Sequence, residues 1–206
     1  MKNIKAIIFD LGGVILNINY QNTIDAFQKL GVKNPESFYS KKTQINLFNK
    51  FEIGKISIKE FLLELQKATY NASIKEVENA WNCMLLDLPE NRVNLLTKIN
   101  ESYSIFLLSN TNAIHISEFK KKLGENEYGK FYNLFKKVYF SHKIGLRKPH
   151  VEAFKLILDE NKFPANKVLF IDDSLQHIQG AKKIGIKTHH LKNNDEIATL
   201  FPDIAL

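Results

Sequence analysis

The feature that most constrains the fold is a short apolar run near the start of the chain, Ala6–Phe9, which ends in Asp10. Such a run is too apolar for a solvated hairpin and indicates a strand buried on both faces, as in a parallel sheet. Ligands of open α/β sheets bind at the carboxyl ends of strands, where Asp10 would lie. Gly12 and Gly13 follow, and they let the backbone turn sharply or approach a ligand closely. The alternative is a strand that ends in a turn-forming Asp-x-Gly.

Helix and strand patterns then divide the chain. Between residues 16 and 88 the apolar residues repeat at helical spacing, and two Ser-x-x-Glu capping boxes begin at Ser57 and Ser73. Short apolar runs, typical of buried strands, follow at residues 103–108, 138–140, 167–171 and 186–191. This alternation predicts an α/β fold, with a doubly wound parallel sheet covered by helices on both faces. The expected domains are a core of residues 1–15 and 89–206 and a helical domain of residues 16–88, inserted after the first strand.

The composition is that of an ordinary globular protein, with 44% hydrophobic and 25% charged residues. The first apolar run stops after four residues, which is too short for the core of a signal peptide or for a membrane span. Cys83 is the single cysteine, so an internal disulfide and a cysteine metal cluster are excluded. We therefore expect a cytoplasmic protein with no membrane partner.

The net charge is +7 and the isoelectric point is about 9.3, which raises the question of an anionic partner. The lysines are spread along the whole chain, and the one tight run is residues 120–122. No motif for DNA or RNA binding accompanies them. A solvated lysine-rich surface is therefore favoured over a nucleic-acid partner. A positive field that attracts a small phosphorylated substrate fits the charge equally well.

Polar residues follow three of the predicted strands. Asp10 follows the first, Ser109 and Asn110 follow the second, and Asp172 with Asp173 follows the strand at residues 167–171. The carboxyl ends of parallel strands meet at one edge of a sheet, so these side chains are expected in one crevice. Lys148 lies in a loop before a predicted helix and could reach the same place. Each of these patterns alone is common in caps and turns, but together and in this order they are specific.

In this order the motifs resemble those of the haloacid dehalogenase superfamily, and the resemblance covers nearly the whole chain. It implies a Rossmann-like core with an inserted helical cap of the first type, which the block of residues 16–88 would form. Within the superfamily, the motifs look most like those of small sugar-phosphate phosphatases, and in particular the α-glucose-1-phosphate phosphatase group. The motifs are Phe9–Val14, Leu108–Asn112, Gly145–Pro149 and Phe170–Ser174, and residues Phe51–Ser57 around Gly54 also resemble cap sequences of this group.

The resemblance implies a role for each of these residues. Asp10 would attack phosphorus and form an aspartyl-phosphate, which water later hydrolyses. Mg²⁺ would offset the repulsion between this carboxylate and the phosphate. Ser109 and the backbone amide of Asn110 would donate hydrogen bonds to the phosphoryl oxygens, and Lys148 would neutralise charge on the nucleophile and on the transferring group. The ligands of the metal would be Asp10, the backbone carbonyl of Gly12 and Asp173, with Asp172 as a further ligand or as the residue that orients a metal-bound water.

The sequence departs from the family at Gly12. Most phosphatases of the family have a second aspartate at this position, which protonates the leaving oxygen and then activates water. Such a group is worth about 10²–10⁴ in rate. The substrate could carry an easier leaving group, as an anomeric sugar phosphate does, or a water or a cap residue could take the role. His177 is one candidate, although a surface position on its helix is favoured for it.

Two other functions stay open at this point. The first is a slow or non-catalytic protein that only binds a phosphorylated metabolite, which the missing acid at Gly12 favours. The second is a haloacid dehalogenase, against which the pair Asp172 and Asp173 argues, because dehalogenases of the family need no magnesium. Specificity is expected to come from the cap, where Tyr20 could line the entrance to the crevice, although a structural role is favoured for it. The sequence does not indicate an oligomeric state.

Overall fold

A computed structural model describes residues 3–38, 46–192, 195–202 and 204 of the chain. Its centre is a five-stranded sheet in which every neighbouring pair of strands is parallel. The strands are β1 (Ala6–Phe9), β2 (Ser104–Ser109), β3 (Lys137–Phe140), β4 (Val168–Asp172) and β5 (Lys187–His190). They lie in the order β3-β2-β1-β4-β5, so the chain reverses its direction of winding at β1. The predicted α/β fold with a doubly wound parallel sheet is confirmed.

Helices cover both faces of this sheet and form a separate group beyond its carboxyl edge. The four helices that follow β1 are α1 (Tyr20–Lys29), α2 (Asn46–Glu52), α3 (Ile58–Gln66) and α4 (Ile74–Asn82). The six in the rest of the described chain are α5 (Glu90–Ser102), α6 (Ala113–Leu123), α7 (Glu125–Asn133), α8 (Ser141–Ile144), α9 (Val151–Asn161) and α10 (Leu175–Lys182). Both predicted capping boxes are present, at Ser57 and Ser73. Short 3₁₀ helices occupy Pro35–Phe38, Ala165–Lys167 and Ile197–Leu200.

The four residues of β1 are fully buried because the strand has a hydrophobic cluster on each side. Ile7 and Phe9 point into the cluster that contains α5, whereas Ala6 and Ile8 point into the cluster that contains α9. This alternation follows from the two-residue period of a strand. It also explains why the run in the sequence is apolar without interruption. Both of its neighbours pair with it in register, which fixes where its carboxyl end lies.

Helices α1 to α4 share a further hydrophobic cluster that is rich in aromatic side chains, and Ile114 of α6 also packs into it. Phe61 lies at its centre, stacked on Phe51 at a centroid distance of 3.9 Å and edge-on to Trp81 at 4.9 Å. The two chain segments that join this group to the sheet run side by side, with an antiparallel bridge between Ile18 and Leu85. A separate core and a paired crossing are what an inserted cap requires. We propose domain boundaries at this crossing, with a core of residues 1–15 and 89–206 and a cap of residues 16–88.

Candidate active site

Three polar side chains lie together at the carboxyl edge of the sheet. Asp10 directly follows β1, Ser109 is the last residue of β2, and Asp172 is the last residue of β4. Because β1 pairs with both β2 and β4, the three positions are adjacent across the sheet. All three are buried. The crevice that the sequence predicts therefore exists at the point where the strand order reverses, which is the usual ligand position in such sheets.

Lys148 connects two of these residues. Its side chain is fully buried, and its Nζ lies 2.8 Å from Oδ1 of Asp10 and 2.7 Å from Oδ2 of Asp172. The side chain of Asn110 holds the backbone of Lys148 on both sides, since it accepts a hydrogen bond from the amide at 2.9 Å and donates one to the carbonyl at 2.8 Å. The amide of Asn110 therefore remains the group that could face a phosphate, while its side chain fixes the lysine.

Helix α10 packs against the loop that carries the same lysine. A Cβ atom at Gly180 would lie less than 3.0 Å from the carbonyl oxygen of Pro149, the residue that follows Lys148. Only a glycine lets the helix backbone approach this loop so closely. The loop after β2 is fixed as well, because the Ser141 hydroxyl accepts a hydrogen bond from the amide of Thr111 and donates one to its carbonyl, both at 2.9 Å. Rigid neighbours thus hold both loops of the site.

The electrostatics of the site follow from one ammonium shared by two buried carboxylates. Burial raises the pKa of Asp10. The positive charge of Lys148 opposes this rise and the negative charges of Asp172 and Asp173 add to it, so the pKa of Asp10 stays well above its usual range. Burial would also raise the pKa of Asp172, but Lys148 and His177 outweigh it and hold this pKa well below its usual range. Burial alone would lower the pKa of Lys148, but the two carboxylates raise it. The lysine is therefore a fixed cation, and Asp172 is its permanent counter-ion.

His177 belongs to the site, and the preference for a surface position is wrong. Its Nδ1 lies 2.9 Å and 3.0 Å from the two carboxylate oxygens of Asp172, and 18% of its side chain is exposed. Burial and the charge of Lys148 lower its pKa, so the neutral ring donates from Nδ1 to Asp172. The backbone amide of Ser174 also donates to Asp172, at 2.7 Å. Asp172 is thus fully occupied by protein donors.

Asp173 differs from its neighbour Asp172 in its exposure to solvent. It is exposed, and its Oδ2 lies so close to Gly13 that a Cβ atom there would be 2.5 Å away. Gly13 has a positive φ of 76°, which other residues rarely adopt. Asp10 and Asp173 both offer carboxylate oxygens, and the charge of Asp173 acts on Asp10. Hard divalent cations prefer such oxygen donors. The donor chemistry therefore fits Mg²⁺.

A cleft of about 530 Å³ opens beside this point, between the strand ends and the start of the cap. Its lining includes Gly13, Asn17, Tyr20 and Asp173. Half of the surface of Tyr20 is exposed, yet burial raises the pKa of its hydroxyl, and the charges of Asp173 and Asp10 raise it further. The expected position of Tyr20 at the entrance therefore agrees with the structure, and its hydroxyl end lies among the carboxylates.

Two residues at the contact between the cap and the loop of Lys148 had no role in the sequence-based expectations. Glu52 ends α2, and its Oε2 lies 3.0 Å from Nη2 of Arg147, the residue before Lys148. Arg147 also donates a hydrogen bond to the side chain of Asn49 on α2. Both Glu52 and Arg147 stand inside segments that resemble family motifs. The signal that could have found them is an acidic residue beside the cap glycine Gly54 and a basic residue beside Lys148.

Comparison with known proteins agrees with this architecture. The model of the family described as haloacid dehalogenase-like hydrolase matches residues 7–190, which include both the sheet and the cap. The chain belongs to this family, and its predicted membership and its assignment as an enzyme are confirmed.

Individual relatives cover nearly the whole chain. A D-ribitol-5-phosphate phosphatase of Bacteroides thetaiotaomicron is 29% identical over 92% of this chain and 93% of its own length. The crystal structure of a family enzyme from the same species, in complex with magnesium and inorganic phosphate, has a TM-score of 0.83 and 31% identity over 96% of this chain and 99% of that one. The structure of a predicted haloacid dehalogenase-like (HAD-like) family hydrolase from Porphyromonas gingivalis has a TM-score of 0.86 and 26% identity, with 99% of both chains covered. In the part of the chain that the structure describes, no helix is both long and apolar enough to cross a membrane.

Proposed function

We propose that this protein is a magnesium-dependent phosphatase of small phosphorylated metabolites, with sugar or sugar-alcohol phosphates as substrates. The observation that carries the proposal is the arrangement at the sheet edge, where the buried Asp10 lies against Lys148 and within the influence of the charge of the exposed Asp173. A relative named as a D-ribitol-5-phosphate phosphatase and a structural neighbour that binds magnesium and phosphate support it. That relative acts on the phosphate of a sugar alcohol, so the proposal is not limited to anomeric phosphates such as glucose 1-phosphate.

Asp10, the carbonyl of Gly12 and Asp173 would hold the magnesium ion. When bound, the ion would supply positive charge that offsets the repulsion between the nucleophile and the phosphate. We propose that Asp172 positions Lys148 and is not a ligand of the metal. Its oxygens already accept hydrogen bonds from Lys148, His177 and the amide of Ser174, so it holds the lysine in place.

In the proposed reaction Asp10 attacks phosphorus and forms an aspartyl-phosphate, and the phosphorus–oxygen bond to the leaving alcohol breaks. Ser109 and the amide of Asn110 donate hydrogen bonds to the phosphoryl oxygens. Lys148 stabilises the charge that accumulates on the transferring group, and its fixed position means that no reorganisation is needed during the step. Water then attacks the aspartyl-phosphate and regenerates Asp10.

A second candidate is a non-catalytic protein that binds phosphorylated metabolites. The single observation in its favour is Gly12, which offers a carbonyl but no side chain that can move a proton. A dehalogenase has less support, because its reaction needs no magnesium, whereas the carboxylate oxygens of Asp10 and Asp173 are donors that fit this ion.

Phosphate release from a panel of sugar, sugar-alcohol and nucleotide monophosphates, with magnesium and with a chelator, tests the proposal. We expect turnover that requires magnesium and that Asp10→Asn abolishes, because the amide cannot attack phosphorus. Asp159→Asn, an exposed change on α9, is the matched control and is expected to retain full activity. Turnover that persists in Asp10→Asn would refute the assigned nucleophile. Binding of phosphate esters without turnover would establish the second candidate instead.

A further inference from the structure

The backbone of Asp173 lies in the short segment between β4 and α10. β4 ends at Asp172 and α10 begins at Leu175, so the carbonyl group of Asp173 lies outside both the strand and the helix. The side chain of His190, the last residue of β5, contacts this carbonyl, with its Nε2 at 3.0 Å from the oxygen. A carbonyl oxygen can only accept, so Nε2 is the donor. The neutral ring with its proton on Nε2 and the charged ring both donate from this atom, so the contact is made in either state.

Two consecutive residues at the end of β5 hold the backbone that follows β4. His190 is in register with Asp172 in the parallel pair of β4 and β5. The backbone amide of Leu191 donates to the carbonyl of Asp172 at 3.0 Å, and the imidazole of His190 donates to the next carbonyl along the chain. The imidazole therefore extends the hydrogen bonding between the two segments by one residue beyond the end of β4. This contact fixes the backbone from which the carboxylate of Asp173 projects.

The side chain of Asp173 is confined by the loop that follows β1. A Cβ atom at Gly13 would lie 2.5 Å from its Oδ2 and 2.9 Å from its Cγ, so the carboxylate lies directly on the backbone of this loop. His190 thus holds the backbone of Asp173, and the loop of Gly13 limits where its side chain can lie. An exposed carboxylate that is already restricted loses less conformational freedom when it binds an ion.

We propose that His190 is a positioning residue for the magnesium site, because its imidazole holds the backbone of Asp173 in the place from which the carboxylate binds the ion. The inference rests on the proposed function, in which Asp173 is a ligand of the metal. Loss of a hydrogen-bond partner of a metal ligand typically costs about 10–100-fold in metal affinity or activity. His190 acts through Asp173, so its loss should weaken metal binding and leave the phosphorylation of Asp10 unchanged once the site is filled.

Isothermal titration calorimetry of the full chain with magnesium chloride measures this role without turnover. His190→Leu removes the donor, and we expect it to raise the Kd for Mg²⁺ about 10–100-fold. His190→Gln is the conservative variant, because the amide nitrogen of glutamine reaches about as far as Nε2 of histidine and also donates. It should bind Mg²⁺ nearly as tightly as the wild type. Asp173→Ala should abolish the binding signal, which shows that the titrated ion occupies the proposed site.

The matched control is His189→Leu, the same substitution at the preceding residue of β5. Successive side chains of a strand point to opposite faces of the sheet, so His189 is directed away from the position of His190. His189→Leu should therefore leave the Kd for Mg²⁺ unchanged. Phosphatase activity gives a second measurement. For His190→Leu, the magnesium concentration that gives half of the full activity should rise about 10–100-fold, and kcat at saturating magnesium should equal that of the wild type.

Several outcomes would overturn the role of His190. An unchanged Kd in His190→Leu would do so, and so would an equal loss in His189→Leu, because it would point to a general weakening of β5. A loss in His190→Gln as large as that in His190→Leu would exclude the hydrogen bond as the cause. A low kcat that saturating magnesium does not restore would contradict a role limited to the metal. A wild-type protein that binds no Mg²⁺ would instead refute the metal site of the proposed function, and the role of His190 with it.

Discussion

At the scale of single residues, the site is organised by the way Lys148 is shared between two buried carboxylates. A buried ion pair contributes little net stability compared with apolar packing, but removal of one partner leaves an uncompensated charge. Here removal of the lysine would leave Asp10 and Asp172 facing each other with no cation between them. We therefore expect the lysine to stabilise the fold as well as to serve the proposed reaction.

Lys148→Met tests this dependence. We expect it to lower the free energy of unfolding by about 3–5 kcal/mol at pH 7, measured by urea denaturation, and to reduce phosphatase activity at least about 10²-fold. The double variant Lys148→Met/Asp172→Asn removes one of the two carboxylate charges and should recover part of the lost stability but none of the activity. Equal stability of the single variant and the wild type would show that the two carboxylates do not depend on the lysine.

At the scale of elements, the site depends on how closely α10 approaches the loop of Lys148. Gly180 has no side chain, and the carbonyl of Pro149 occupies the space that a Cβ atom would need. A backbone atom cannot move aside as a flexible side chain can, so the helix or the loop would have to shift.

Gly180→Ala is therefore expected to lower the free energy of unfolding by about 1–3 kcal/mol, even though alanine favours helix formation. Phosphatase activity should fall too, since the loop that carries Lys148 is displaced. The matched control is Gly129→Ala on α7, where no atom lies within 4 Å of the added Cβ. That change is expected to be neutral or to stabilise the protein by about 0.5–1 kcal/mol. A stabilising effect at Gly180 would contradict the close approach.

The elements also show which parts of the fold and of the site could be predicted from the sequence. The run Ala6–Phe9 and the residues after it could be placed from the sequence. An apolar run without interruption fits a strand that is buried on both faces, and the point where the run stops marks the carboxyl end of that strand. His177 could not be placed from the sequence, since its position depends on how α10 is rotated relative to Asp172. Glu52 could not either, because it meets Arg147 only when the cap lies on the core. Both positions depend on how distant segments of the chain pack together, which local sequence patterns do not encode.

At the scale of the whole molecule, cap and core are joined by more than the crossing at Ile18 and Leu85. The ring of His115, on α6 of the core, stacks on Trp81 of the cap at a centroid distance of 5.0 Å. Its Nε2 lies 3.1 Å from the carbonyl of Trp81, and its Nδ1 lies 3.1 Å from the side-chain amide of Asn112. Burial lowers the pKa of His115 to about 4, and the contact with the Trp81 carbonyl offsets only part of that effect. The contact therefore requires a neutral ring.

This junction makes the stability of the fold depend on pH in a predictable direction. Between pH 6.5 and about 4 the unfolded chain binds a proton at His115 that the folded chain does not, so the free energy of unfolding falls as the pH falls through this range. We expect the contribution of His115 to amount to about 2 kcal/mol between pH 7 and pH 5. Urea denaturation at both values should therefore show a smaller pH dependence for His115→Gln than for the wild type, by about that amount. His150→Gln, a change at an exposed histidine, should keep the wild-type dependence. An identical pH dependence in His115→Gln and the wild type would mean that the ring at the junction of cap and core accepts a proton without loss of the contact.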